Sequence, residues 1–156
     1  MKKLYALRGA TQCLNTIEDI GEQTARLYDE LLTQNKLVDD GKFADDDIVS
    51  LIFSVTRDLD AANPAAALRR SGRGQNLALF VVQEAETAGA LERTIRILIH
   101  CYLEEGSIPR HVYRNGAEIL RPDRSPSGAP SGAPDSSCTP VISPQHPARR
   151  CPRCGD

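Results

Sequence analysis

The chain lacks the features that would mark it for a membrane or for nucleic acid. It has no tryptophan, and its net charge of −2 over 156 residues leaves no basic excess for a phosphate backbone or an anionic lipid surface. No apolar run approaches the roughly 20 residues of a membrane span. The N-terminus, MKKLYALRGAT, lacks both the long apolar core and the cleavage site of a signal peptide. We therefore expect a cytoplasmic protein that binds neither nucleic acid nor membrane.

A disulfide framework is also missing. The number of cysteines is odd and their positions are scattered, which fits a reducing compartment; they are Cys13, Cys101, Cys138, Cys151 and Cys154.

No covalent catalytic machinery is evident. His100 and His111 are the histidines that precede residue 124, and neither has an evident serine or cysteine partner, which makes a catalytic triad improbable. Gly72-Arg73-Gly74 opens no helix, so it is not a phosphate-binding loop. The aspartate-rich stretch at 39–47 is most simply a solvated loop, because it lacks the alternating ligand spacing of a calcium site. We expect no metal and no cofactor in the domain.

What is present is an alternation of strand and helix patterns. Lys3–Leu7 is predicted to be a strand that Gly9 terminates, which leaves Arg8 at a strand end. A capping box at Thr16 predicts a helix to about Asn35. The remaining patterns predict a strand at Ile48–Val55, a short helix from Pro64 to about Arg70, and two strands within 77–101.

This order predicts an α/β (α+β) fold, a single domain with a mixed β-sheet flanked by helices over residues 1–123. Residues 124–156 hold seven of the ten prolines and the duplication SGAPSGAP, which predicts a disordered tail. The end of the tail, Cys151-Pro-Arg-Cys154, has the spacing of a zinc knuckle, and Cys138 with His146 could complete four ligands. An unstructured tail with exposed thiols is the favoured interpretation.

Two charges interrupt the apolar runs of 77–101. Glu84 closes the first run, and Arg96 lies inside the second, on the strand face opposite Ile95, Ile97 and Ile99. An ion in such a place needs a partner. The sequence leaves open whether Arg96 pairs with a glutamate across the sheet or presents its guanidinium to an anionic ligand.

Six motifs in register resemble the monofunctional chorismate mutases of the AroH class. The resemblance runs in order across residues 3 to 123 and leaves the tail uncovered. The motifs are Leu7-Arg8-Gly9-Ala10-Thr11, Ser54-Val-Thr-Arg-Asp-Leu59 with Pro64-Ala65, Gln83-Glu84, Arg93-Thr-Ile-Arg96, Arg110-His-Val-Tyr113 and Leu120-Arg121-Pro122-Asp123.

The resemblance implies a homotrimer with active sites at the subunit clefts that converts chorismate to prephenate on the route to phenylalanine and tyrosine. The reaction is an intramolecular Claisen rearrangement, so it requires no nucleophile, metal or cofactor. Arg96 would donate to the ether oxygen, Arg8 would bind a substrate carboxylate, and Glu84 would accept from the ring hydroxyl, so that Arg96 and Glu84 contact the substrate rather than each other. Further substrate contacts would come from Tyr113, Arg69, the Val81 backbone, Ala65 and Arg121.

The sequence departs from the family pattern at three positions. Asn63 stands where the family often has an aromatic residue, Ala66 where it often has lysine, and Val81 where a cysteine can occur. Losing the lysine would weaken the positive rim of the pocket. The alternative function is that of a trimeric small-molecule-binding or imine/enamine deaminase-like protein of similar fold, because fold does not fix function.

Overall fold

The computed structural model describes residues 1–39, 42–43 and 45–121. Its strands are β1 (Lys2–Gln12), β2 (Val38–Asp39), β3 (Lys42–Phe43), β4 (Ile48–Val55), β5 (Ala78–Gln83), β6 (Thr94–Glu104) and β7 (Val112–Arg114). The α-helices are α1 (Ile17–Gln34) and α2 (Pro64–Arg70), and short 3-10 turns occupy Asp45–Asp47 and Ala117–Leu120.

Five strands form one mixed sheet in the order β5-β4-β6-β1-β7. The long strands β1 and β6 pair antiparallel along their whole length, and β4 pairs antiparallel with the other side of β6. The two outer pairs, β4 with β5 and β1 with β7, are parallel. The predicted mixed sheet is confirmed, and β2 and β3 form a separate two-stranded pair.

The two helices begin where the sequence predicts. The Thr16 hydroxyl accepts from the Asp19 amide at 3.2 Å and caps α1. The Asn63 side chain accepts from the Ala66 amide at 3.1 Å and caps α2, with Pro64 in the first turn. A bidentate pair between Arg73 and Asp29, with both N–O distances at 2.6 Å, links the segment after α2 to α1.

Gly9 does not end the first strand, and that prediction is wrong. β1 continues to Gln12, so Arg8 lies within a strand rather than at its end. A Cβ on Gly9 would lie 2.9 Å from Cδ1 of both Leu27 and Leu31. A larger residue would force these side chains to shift, so the glycine allows the close packing of α1 on the sheet, a contact that local sequence patterns do not reveal.

The two faces of the sheet differ sharply. Ile95, Ile97, Ile99 and Cys101 of β6 are buried in one core with the apolar sides of α1 and α2, as predicted. The opposite face, which we call the open face, carries the alternate residues of each strand. Large apolar side chains remain exposed there, among them Leu4 at 57%, Phe80 at 63% and Tyr102 at 43%.

Some predictions lie outside the described residues. These are the tail, its domain boundary at Asp123 and the proposed zinc ligands Cys138, His146, Cys151 and Cys154. Within the described ranges, no helix is both long enough and apolar enough to cross a membrane.

Candidate active site

The sheet register places chemically useful side chains in one row across four strands. Ser54 of β4 is opposite Arg96 of β6, Arg96 is opposite Ala10 of β1, and Ala10 is opposite Tyr113 of β7. Paired residues project to the same side of a sheet, and neighbouring strands are about 4.8 Å apart. The short Ala10 side chain thus leaves a gap between the arginine and the tyrosine.

This gap is the floor of a cleft of about 470 Å³ on the open face. Arg8 and Arg96 bring two permanent positive charges to its wall, and Tyr113 and Arg121 lie at the side of β7. A pair of guanidinium groups in one cleft favours a ligand with more than one negative group. The other lining residues are Gly9, Ala10, Ile52, Ser54, Ile97, Leu98 and Leu120.

Arg96 and Glu84 contact each other. Arg96 Nη2 lies 2.9 Å from Glu84 Oε1, and the Ser54 hydroxyl donates to Glu84 Oε2 at 3.3 Å. The Glu84 amide donates to the Val55 carbonyl at 2.8 Å and so extends the β4–β5 pairing by one residue. The cross-sheet ion pair that the sequence left open is thus present, and the expected contacts of these two charges with a substrate stay a prediction.

Two donors in the cleft are nevertheless unused. Arg96 Nε and the Tyr113 hydroxyl are buried and have no hydrogen-bond partner within the described part of the chain. Leaving a buried donor unpaired costs about 1–3 kcal/mol, more for a charged group. Both donors belong to residues that line the cleft. The arrangement thus suits a ligand that brings acceptor oxygens to this floor.

Three of the predicted site residues lie away from the cleft. Ala65 is in the first turn of α2, and Arg69 of the same helix donates through Nη2 to the Leu77 carbonyl at 3.2 Å. Val81 pairs with Phe53 on the helix-covered side of the sheet, where it packs against the core. One chain thus brings together Arg8, Arg96, Tyr113 and Arg121, with Glu84 paired to Arg96. It does not bring Ala65, Arg69 or Val81 to that cleft.

Sequence reasoning gave no role to two residues that hold the site. Ser54 supports Glu84, and the His111 ring accepts the Arg8 amide through Nδ1 at 3.0 Å. Ser54 opens the motif that runs to Leu59, and the strand pattern of β4 places it on the face opposite buried Phe53. Its position opposite Arg96 depends on the register between β4 and β6, which neither strand encodes alone.

The entry into β6 is fixed by a carboxylate. Both Asp58 oxygens accept from the Arg93 amide, at 2.9 and 3.1 Å, and Oδ1 also accepts from the Thr56 hydroxyl at 2.5 Å. Although desolvation favours the neutral carboxyl, these bonds outweigh it and lower the pKa of Asp58. Arg93 itself has φ 46°, so this clamp holds a left-handed backbone position three residues before Arg96.

A second cleft lies beside Glu84. It has a volume of about 730 Å³ and lies between Thr56–Asp58 and the segment 84–92. Its arginine, Arg57, is largely exposed and pairs with Glu86 at 3.1 Å. The larger volume does not make it the better candidate. Among the described residues, three buried side-chain donors have no partner; two belong to Arg96 and Tyr113 of the first cleft, and the third, Arg114 Nε, lines neither cleft.

Comparison with known proteins matches most of the chain to one family. The family model described as "Chorismate mutase type I" matches residues 4–124. Chorismate mutase AroH from Bacillus subtilis is 31% identical over 125 residues, covering 78% of this chain and 93% of the relative. Chorismate mutase AroH from Thermus thermophilus is 34% identical over 121 residues, covering 75% and 95%. The solved chorismate mutase from Clostridium thermocellum superposes with a TM-score of 0.64 at 38% identity, over 74% of this chain and 99% of that one.

Proposed function

The chain belongs to the type I chorismate mutase family, and we propose that its reaction takes place in the cleft between Arg8, Arg96 and Tyr113. It is a chorismate mutase, an isomerase that converts chorismate to prephenate in aromatic amino acid biosynthesis. None of the relatives found favours the alternative of a deaminase-like protein.

The chemistry explains why the cleft contains charges and donors but no nucleophile. In the Claisen rearrangement the ether C–O bond breaks while a C–C bond forms within the same molecule, and negative charge builds on the ether oxygen. A donor aimed at that oxygen binds the transition state more strongly than the substrate, which accelerates the step. Arg96 fills this role, because its buried Nε needs an acceptor.

The remaining residues hold the substrate in a reactive conformation. Arg8 pairs with one carboxylate of the dianion, and Tyr113 contacts the enolpyruvyl side through its buried hydroxyl. When the two reacting carbons are held close, binding energy has already offset the entropy that the substrate loses in reaching its reactive conformation. Arg121, at the rim of the same cleft, adds positive charge near the second carboxylate.

Glu84 has two partners in turn. Within the chain, Glu84 pairs with Arg96 at 2.9 Å, and the Ser54 hydroxyl donates to its other oxygen. On binding, the substrate's ring hydroxyl donates to Glu84, and the guanidinium turns part of its donor capacity to the ether oxygen. The ion pair thus keeps Arg96 in place and avoids an uncompensated charge before the substrate arrives.

We propose that three copies assemble through the open face. Leu4, Phe80 and Tyr102 leave an apolar surface there that one chain does not cover, which is typical of an interface. Arg69, Val81 and Ala65 do not line the cleft of their own chain. Substrate contact by Arg69 therefore requires a neighbouring subunit, as the resemblance implies, with the Val81 backbone and Ala65 contributing at the same boundary.

We further propose that residues 1–123 carry the activity in the cytoplasm and that 124–156 are dispensable. The family match ends at residue 124. Cys13 and Cys101 are buried free thiols, which suits a reducing compartment. A chain truncated after Asp123 that keeps its trimeric mass and its turnover would support this division, and loss of either would contradict it.

The observation that carries the site assignment is the pair of buried donors, Arg96 Nε and the Tyr113 hydroxyl, in a cleft with a second arginine. The test is to follow chorismate disappearance for the wild type, Arg96→Ala and Arg57→Ala. Removing a transition-state donor costs about 10²–10³-fold in kcat. Arg57→Ala is the matched control, since Arg57 also pairs with a glutamate but is exposed. If Arg96→Ala turns over as fast as Arg57→Ala, the site assignment is wrong.

A further inference from the structure

The amide of Arg8 is bonded to a side chain, although the residue itself lies within β1 opposite Leu98 of β6. Its amide donates to Nδ1 of His111 at 3.0 Å. The parallel pairing of β1 with β7 begins one residue later, at Gly9 and Val112. The His111 ring therefore takes the place that a strand carbonyl would occupy, immediately before the ladder starts.

This bond matters because β7 is a short edge strand and the bond ties its near end to β1. Asn35 also anchors the residue before His111, by two backbone bonds of 2.8 Å, but it joins that residue to the end of α1 and not to β1. β7 has three residues and lies at the edge of the sheet. Its far end is fixed by Asn115, whose amide nitrogen donates to Thr11 Oγ1 at 3.0 Å and to Gln23 Oε1 at 2.8 Å. His111 provides the corresponding link at the near end, and Tyr113 lies between the two.

The link joins the two walls of the substrate cleft. Arg8 and Tyr113 line that cleft from adjacent strands, and the Arg8 side chain is exposed on the open face. A guanidinium on a mobile backbone would lose entropy when it binds a carboxylate, whereas a backbone fixed in advance has already lost it. The bond to His111 fixes the strand segment from which the Arg8 side chain projects.

We propose that His111 is a positioning residue: by accepting the Arg8 amide at Nδ1, it sets the spacing between Arg8 and Tyr113 and so strengthens substrate carboxylate binding. This inference rests on the proposed role of Arg8. Acceptance at Nδ1 requires a lone pair there, so in the neutral ring the proton is on Nε2. Asparagine places its carbonyl oxygen the same number of bonds from the backbone as Nδ1, whereas glutamine places it one bond farther away.

These geometries define three variants. His111→Leu removes the acceptor and is expected to raise KM about three- to tenfold, the equivalent of one hydrogen bond, with kcat little changed because carboxylate binding is common to the ground and transition states. His111→Asn is expected to restore KM to near the wild-type value, and His111→Gln is expected to resemble His111→Leu. Thermal unfolding midpoints of all three identify any variant whose fold is lost, and His111→Asn keeps the test decisive if His111→Leu fails to fold.

A double-mutant cycle separates positioning from general stability. If His111 acts through Arg8, His111→Leu raises KM in the wild-type background and much less in an Arg8→Ala background. Equal effects in both backgrounds, or no rescue by His111→Asn, would overturn the inference while leaving the role of Arg8 intact. An Arg8→Ala variant with unchanged KM would instead overturn the proposed role of Arg8, and the inference with it.

Discussion

Gly9→Ala tests whether the sheet and α1 are as close as the structure shows. The added Cβ would lie 2.9 Å from Cδ1 of Leu27 and of Leu31, and 3.1 Å from Cγ2 of Ile97. Carbon atoms in favourable contact are about 3.5–4.0 Å apart, so all three side chains would have to move. Leu27 and Leu31 are fully buried and Ile97 is 3% exposed, which leaves them little space to move into.

The size of the effect follows from two opposing contributions. Overpacking a core costs about 1–3 kcal/mol, and replacing glycine by alanine within a strand gains about 0.5–1 kcal/mol from the unfolded chain. The free energy of unfolding should therefore fall, by up to about 2.5 kcal/mol. Some turnover should be lost as well, because Arg8 and Ala10 on either side of Gly9 line the cleft.

Urea unfolding measures this change. All variants are compared at one fixed protein concentration, because the proposed assembly would make stability depend on concentration. Gly21→Ala is the matched control: Gly21 lies within α1, and a Cβ there would meet only Ala67 Cβ, at 3.8 Å. Alanine at this position should stabilise the chain by about 0.5–1 kcal/mol. If Gly9→Ala is as stable as the wild type, or shifts stability in the same direction as Gly21→Ala, the packing argument fails.

Four further predictions follow from single residues. The pKa of Asp58 is lowered in the folded state, so its contribution to stability is present above the ordinary carboxyl pKa near 4 and is lost as pH falls through the folded value. Asp58→Asn should therefore reduce stability at neutral pH and flatten the decline of stability in acid. Unfolding at several pH values measures both effects. Burial raises the pKa of Cys101 to about 11, so a thiol reagent at pH 8 should label it only after unfolding. The measurement uses a chain in which Cys13 and the three cysteines after residue 124 are replaced by serine, and fast labelling of the folded chain would refute the burial of Cys101. Ala66 is exposed on α2, the helix that the proposed assembly brings to the cleft of a neighbouring subunit. Ala66→Lys should therefore lower KM for chorismate by adding positive charge at that boundary, and an unchanged KM in steady-state kinetics would contradict this. If three copies assemble through the open face as proposed, Phe80→Glu should give species of smaller mass than the wild type by light scattering, and an unchanged mass would exclude that face as the contact.

The local elements were predictable because their signals are local. The Thr16 cap, the proline at the start of α2 and the apolar run of β4 lie within a few residues of the elements they define. The same holds for the two sides of β6, since alternation along one strand requires no knowledge of its neighbours. The ends of β1 and β6 were harder to predict from the sequence, because it is the pairing between the two strands that extends each of them over 11 residues.

The sequence by itself determined that the chain folds as a mixed α/β domain, and its ordered motifs identified the family and led to the proposed site residues Arg8, Glu84 and Arg96. Only the tertiary structure decided how those residues meet. Arg96 lies beside Ser54 and Ala10 because of the register among three strands that are distant in sequence, and this register also closes its ion pair with Glu84. The size limit at Gly9 is set by the helix packed on it, and the amide of Arg8 is bonded to His111, 103 residues away. Such contacts are set by packing between separate elements, and no local pattern records them.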